Sequence, residues 1–163
     1  MRLFVAVELS DEMKKSITNT MHDLKKAGVR GSYVPMQNLH LTLAFIGDVK
    51  GSGEIKDALR TVSVKPFKLA FSVLGTLGDL LWVGIKGNQG LSGAAKAVRN
   101  ALDEAGIRYD KKKFTPHITI VRKMTGDRKG IDAPRGEMMV KKISLMKSEQ
   151  KDGKRIYTEV FHT

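Results

Sequence analysis

One short pattern occurs twice, and it restricts the folds open to this chain more than any other feature. His40-Leu41-Thr42-Leu43 and His117-Ile118-Thr119-Ile120 share the form histidine, apolar, threonine, apolar, and they lie 77 residues apart in a chain of 163. Side chains alternate across a β-strand, so residues two apart share a face. Each copy therefore presents an imidazole and a hydroxyl on one face and buries two aliphatic side chains on the other. A separation of nearly half the chain points to duplication of one lobe. If a pseudo-twofold relates the lobes, the two faces meet across a cleft.

The segments around the motifs form a mixed pattern. Ser10-Asp11-Glu12 has the composition of a helix start, with a capping oxygen followed by acids in the first turn. Met13, Ile17, Met21 and Leu24 then recur at helical spacing, and Gly28 closes the segment. Residues through Gly31, Ser32 and Pro35 read as a polar connection before a strand over Leu39–Ile46. A short helix is expected from Glu54 to Val62. Phe67–Val73 and Leu80–Ile85 read as paired strands with a turn near Gly75–Gly78. Leu91, Ala94, Ala95, Val98, Ala101 and Leu102 mark a helix over Leu91–Ala105, and Phe114–Val121 is the next strand. A basic loop follows over Thr125–Gly136. Strands over Met138–Met146 and Arg155–Phe161 close the chain around a Lys151-Asp152-Gly153 hairpin turn. Strict β-α alternation is missing, so the expected class is α+β with antiparallel sheets, in one bilobal domain over residues 1–163. Met1 to Glu8 reads as a first buried strand, too short for a secretory signal. No apolar run reaches the roughly 18 residues that a membrane span needs; with no targeting segment the expected compartment is the cytoplasm, and a monomer away from membranes is expected.

Cysteine is absent, which removes disulfides, thiol nucleophiles and zinc sites built on thiolates. Of the four histidines, His22, His40, His117 and His162, no two have HxxxH or HxxH spacing, so neither a metal nor a cofactor is expected. Lysine and arginine total 29 against 17 acids, a net charge of +12. Residues 1–107 hold 14 basic and 10 acidic side chains, and residues 108–163 hold 15 and 7, so the excess rises from +4 to +8. Such a field suits a polyanionic partner. Lys111, Lys112, Lys113, Arg128, Lys129, Arg135, Lys141 and Lys142 fall in or beside loops flanking the second motif.

Two imidazoles, one neutral and one protonated, make an acid–base couple near neutral pH. Flanking hydroxyls can hydrogen-bond phosphate oxygens. A single histidine on a strand is more often structural, and threonine favours strands in its own right. With 10 threonines in the chain, two of four histidines followed by Thr at i+2 would arise by chance in roughly a few per cent of such sequences.

The paired motifs resemble the signature of the 2H phosphoesterase superfamily. The fuller similarity is to its bacterial and archaeal RNA 2′,3′-cyclic phosphodiesterase branch, historically named 2′-5′ RNA ligase. Met1 to Val7 looks like that family's opening strand, Asn38 to Val49 like its first motif, and Phe114 to Arg122 like its second. The closing pair, Ile143 to Lys147 and Tyr157 to Phe161, fits its usual ending. The resemblance implies two antiparallel sheets around a central cleft with helices outside. It also implies opening of an RNA 2′,3′-cyclic phosphate, or of a small cyclic nucleotide, to leave a 2′-phosphate. By that analogy His40 protonates the leaving 3′ oxygen, His117 activates water, and Thr42 and Thr119 hold the phosphate. Phe45 and Arg122 stand where the family places groups near base and phosphate. Simple alternation gives each the wrong parity relative to its histidine, so both reach the cleft only if the strands twist, bulge or end there. Trp82 reads as packing, and His22 and His162 as surface residues. Two alternatives stay open: a 2H enzyme with another cyclic substrate or reversible 2′-5′ ligation, and a non-catalytic nucleotide- or RNA-binding module.

Overall fold

In the computed structural model, which describes residues 1–163, nine strands and three helices follow one another. They are β1 (Arg2–Glu8), α1 (Asp11–Lys26), β2 (Arg30–Tyr33), a 3-10 turn (Met36–Asn38), β3 (His40–Asp48), α2 (Gly53–Arg60), β4 (Phe67–Leu77), β5 (Leu80–Ile85), α3 (Gln89–Glu104), β6 (His117–Thr125), β7 (Glu137–Val140), β8 (Ser144–Lys151) and β9 (Lys154–His162). The strands form two sheets, ordered β3-β1-β8-β9 and β2-β6-β5-β4-β7, and every pairing is antiparallel. The α+β class and the paired antiparallel sheets are as expected.

The repetition extends well past the two histidine motifs. The unit β1-α1-β3 recurs as β5-α3-β6, and the two helices are both 16 residues long. Ser10 and Asn88 cap them in the same way, each side chain accepting from the backbone N–H three residues on, at 3.2 and 2.7 Å. Ala27 and Ala105 end them, and Gly28 and Gly106 then take left-handed backbone with φ of 87° and 70°. The apolar stripes of both helices are buried as their spacing predicts. One contiguous cluster of 33 buried residues draws on both sheets, with Leu41, Leu43, Ile118 and Ile120 all at or below 1% exposed. Burial on this scale supplies the dominant favourable free energy of such a fold.

Beyond shifts of one or two residues at element ends, four differences from the sequence reading stand out. The polar stretch after Val29 contains β2, an exposed strand with no apolar alternation. It exists because its backbone pairs with β6, Ser32 opposite Arg122 and Tyr33 opposite Val121. Gly31 permits that approach, since a Cβ there would lie 2.7 Å from the Arg122 carbonyl oxygen. The run Met138–Met146 is two strands in different sheets: β7 beside β4 and β8 beside β1. Alternation already breaks there, because buried Val140 and buried Ile143 are an odd number of residues apart. β4 runs on to Leu77, so the turn lies at Gly78-Asp79. β6 begins at His117 rather than Phe114 and continues to Thr125, into the expected loop.

Gly75 on β4 faces Trp82 on β5, and a Cβ at Gly75 would meet the indole at 2.1 Å. Gly75→Ala must therefore push the only tryptophan from its place. The expected cost is about 1–3 kcal/mol, read as a lower urea midpoint together with a shifted tryptophan emission. An unchanged midpoint and spectrum would contradict this packing.

Candidate active site

In both motif strands one extra residue decides what reaches the site. Along β1, Val5 and Ala6 are consecutive, but their partners on β3 are Ala44 and Thr42, so Leu43 is inserted. Along β5, Leu81 and Trp82 are consecutive, but their partners on β6 are Val121 and Thr119, so Ile120 is inserted. These are β-bulges at the same position of each motif. As a result Leu43 and Ala44 are buried in succession, as are Ile120 and Val121. Parity then reverses, and the next residue, Phe45 or Arg122, turns to the face of its histidine and threonine. Both residues line the same groove as His40 and Thr42.

The bulged carbonyls are satisfied differently. The Ile120 oxygen accepts from the backbone N–H of Val34, just past β2, at 2.9 Å. β3 is the edge of its sheet and has no such strand beside it. There Arg99 of α3 donates from Nε to the Leu43 oxygen at 3.2 Å and from Nη1 to the Lys112 oxygen at 2.7 Å. The Asp110 N–H donates to the Phe45 oxygen at 2.8 Å. A side chain and a loop thus cover an edge that the other sheet covers with a strand.

Both imidazoles are oriented by the same device. The His40 Nδ1 lies 2.7 Å from the Asn38 carbonyl oxygen, and the His117 Nδ1 lies 2.5 Å from the Thr115 carbonyl oxygen. A carbonyl only accepts, so Nδ1–H is the donor in each case and Nε2 is left for other chemistry. Their surroundings differ. His40 packs between Phe4 and Tyr157, with ring centroids 4.7 and 5.0 Å away. Burial there holds its pKa below the usual imidazole value; the Asn38 carbonyl opposes this, and the positive charges of Arg122 and Lys14 add to it. His117 is exposed and has the Trp82 ring beside it, 6.1 Å away.

The groove has a volume of about 900 Å³. Of the anticipated residues it is walled by His40, Thr42, Phe45 and Arg122, and His117 and Thr119 are not among its walls. Arg122 shares their face of β6, and β3 and β6 approach each other between the sheets, so β6 reaches the groove through Arg122. No aspartate or glutamate lines it, whereas Arg2, Arg122, Lys154 and Arg155 do, and none of these four pairs with a carboxylate.

Several residues of the site carry no separate signal in the sequence. Asn38 is 5% exposed; besides holding His40, its side-chain amide donates to the Arg155 carbonyl oxygen at 3.0 Å. Phe4 and Tyr157 flank His40 only because β1 lies beside β3 and β9 belongs to the same sheet. Trp82 packs over Gly75, as a packing residue should, and also borders His117. His22 and His162 are exposed, as anticipated. In the basic run ahead of the second motif, Lys111 engages Asp103 and the Tyr109 ring, and Lys112 lies 4.0 Å from Asp110.

A family model described as the 2′-5′ RNA ligase superfamily matches residues 13–152. A relative from Archaeoglobus fulgidus, named RNA 2′,3′-cyclic phosphodiesterase, is 32% identical across 91% of each chain. One of the same name from Geobacillus stearothermophilus is 34% identical over 76% of this chain, and that match spans 42% of the relative's length. Among solved structures, the Escherichia coli protein LigT complexed with 3′-AMP superposes with a TM-score of 0.82 at 28% identity, covering 99% of this chain and 96% of that one. The protein TT0787 of Thermus thermophilus superposes with a TM-score of 0.80 at 26% identity, covering 99% and 96%.

The Arg122 charge acts on His40 from the other sheet, so removing it has a defined direction. Arg122→Gln is expected to move the His40 pKa upward, toward the ordinary imidazole value, in an NMR titration of the imidazole protons. A downward shift or none would show that the two motif strands do not meet.

Proposed function

The chain belongs to the 2′-5′ RNA ligase superfamily, and from that membership we propose that it is an RNA 2′,3′-cyclic phosphodiesterase whose acid–base couple is His40 and His117. The observation that carries the reading is the duplicated device itself. Two imidazoles, each fixed through Nδ1 and each beside a threonine, stand on strands that meet at a groove free of carboxylates. A carboxylate-free, cationic groove suits a phosphodiester anion.

The chemistry proceeds by in-line attack. Water, deprotonated by His117, attacks the ring phosphorus, and the bond to the 3′ oxygen breaks. His40 gives its proton to that oxygen, leaving a 3′-hydroxyl and a 2′-phosphate. Thr42 and Thr119 donate to the phosphate oxygens, where charge develops. Arg122 adds a cation on the same side, and Phe45 offers a ring to the terminal base. Burial and the Arg122 charge lower the His40 pKa, which makes its imidazolium the readier proton donor. The bound phosphodiester charge favours retention of that proton until transfer. No helix is long and apolar enough to cross a membrane. The reading takes the enzyme as a cytoplasmic monomer that acts without metal, with residues 1–163 as one bilobal domain.

His40→Ala and His117→Ala are each expected to lower turnover of a cyclic-ended RNA by ~10²–10⁴-fold. The double variant should be scarcely slower than either single, because the two groups act as one unit. The activity left in His117→Ala retains only the acid, so it should fall as pH rises through the His40 pKa. A residual rate that rises with pH would exchange the two roles. Full activity in either single variant, or binding of the cyclic-ended RNA by the parent without turnover, would contradict the assignment.

A further inference from the structure

The hairpin of β8 and β9 extends past the sheet that supports it. β1 pairs with β8 only as far as Arg2 opposite Ser148, whereas β8 and β9 stay paired to Lys151 opposite Lys154. Residues 149–151 and 154–156 therefore form a two-stranded ribbon with no third strand beneath it. Such a ribbon is marginal by itself, and this one is braced. Asp152 and Gly153 both take positive φ, 50° and 75°, as the tight turn requires. The Arg155 guanidinium donates to the Ser148 hydroxyl at 3.3 Å, and its backbone oxygen accepts from the Asn38 amide. Asn38 is also the residue whose carbonyl holds His40, so the ribbon and the first histidine share one anchor.

The surface of this ribbon is chemically one-sided. Residues 151–156 are all exposed, and Gly153, Lys154, Arg155 and Ile156 wall the groove together with Arg2. The acids nearby are Glu149, held 3.4 Å from Lys147, Asp48, which lines a second pocket with Glu149 and Arg155, and Asp152 at the turn; none of the three walls the groove. At about 900 Å³ the groove is at the upper end of the ~300–1,000 Å³ typical of small-molecule sites, more than a cyclic phosphate and one base need. The lysine run at 111–113, by contrast, lies outside the groove walls, with Lys111 and Lys112 beside acids of their own.

We propose that the β8–β9 tip is an arm that holds single-stranded RNA on the 5′ side of the cyclic end, with Lys154 and Arg155 neutralising two backbone phosphates. This rests on the reading of the groove as a site for cyclic-ended RNA. The reacting ring is the 3′ terminus of its strand, so the rest of the strand must leave the groove past one of its rims. The arm is the rim that offers free cations beside an exposed aliphatic side chain, the combination that backbone phosphates and unstacked bases take up.

The test compares a short single-stranded oligoribonucleotide bearing a 2′,3′-cyclic end with a nucleoside 2′,3′-cyclic phosphate, using the parent and the Lys154→Gln/Arg155→Gln double variant. The readout is the ratio of kcat/KM for the oligonucleotide to that for the mononucleotide. With a slope of about −0.7 per neutralised phosphate, two phosphates make the parent's ratio fall about sevenfold between 50 and 200 mM salt. In the double variant the ratio should be lower at 50 mM and should lose that sevenfold dependence. A variant whose ratio and salt dependence equal the parent's would overturn the arm. Equal kcat/KM for both substrates in the parent would overturn it too, while leaving the phosphodiesterase reading intact. Turnover of neither substrate by the parent would sink that reading, and the arm with it.

Discussion

Leu43 and Ile120 each put one residue too many into an antiparallel ladder, and the composition of the groove depends on that insertion. Without it, strict alternation would send Phe45 and Arg122 to the buried side, into the cluster that holds Leu41 and Ile118. A buried, unpartnered guanidinium would cost several kcal/mol, so the register could not survive. With it, six side chains of each strand divide between two faces: histidine, threonine and the residue after the bulge share one face, and the three aliphatic residues between them fill the core. The extra backbone groups still need partners. Val34 supplies one in the second sheet, and Arg99 with Asp110 supplies them at the open edge of β3. The two halves thus share one site plan and differ in how its outer side is sealed.

That difference carries over to the electrostatics. His40 lies in a ring cage of Phe4 and Tyr157 with two cations in range, and its proton is held less tightly than in water. His117 stands exposed against the edge of Trp82. A symmetric pair of imidazoles has no reason to divide labour, whereas a pair in unequal surroundings has one. The unequal settings come from Tyr157 on β9, which lies outside the repeated unit, and from Arg122, whose counterpart on β3 is the uncharged Phe45.

Much of this was legible in the sequence, for identifiable reasons. The amphipathic helices announced themselves through Ser10, the apolar stripes and Gly28 and Gly106, because local spacing alone determines those features. The two histidine motifs were legible because a half-buried strand imposes a period of two. β2 was not, since an exposed edge strand is made by its partner rather than by its own side chains. Nor was the change of sheet between Val140 and Ile143, which in sequence is only a skipped beat in one apolar run. Tyr157, Phe4 and Arg99 reach the site through contacts between strands and helices far apart in the chain, and no local pattern encodes such contacts. Phe45 and Arg122 were legible only as a conditional, and the bulges meet the condition.

If two imidazoles suffice to open a cyclic phosphate, the proton goes to the 3′ oxygen and no metal ion is needed. Incubating the purified protein in excess chelator with an RNA ending in a 2′,3′-cyclic phosphate, and identifying the terminal phosphate by its chemical shift or enzymatic lability, tests this in one step. The expected outcome is undiminished conversion to a 2′-phosphate with a free 3′-hydroxyl. A 3′-phosphate product, an unopened ring, or turnover that vanishes in chelator would contradict it.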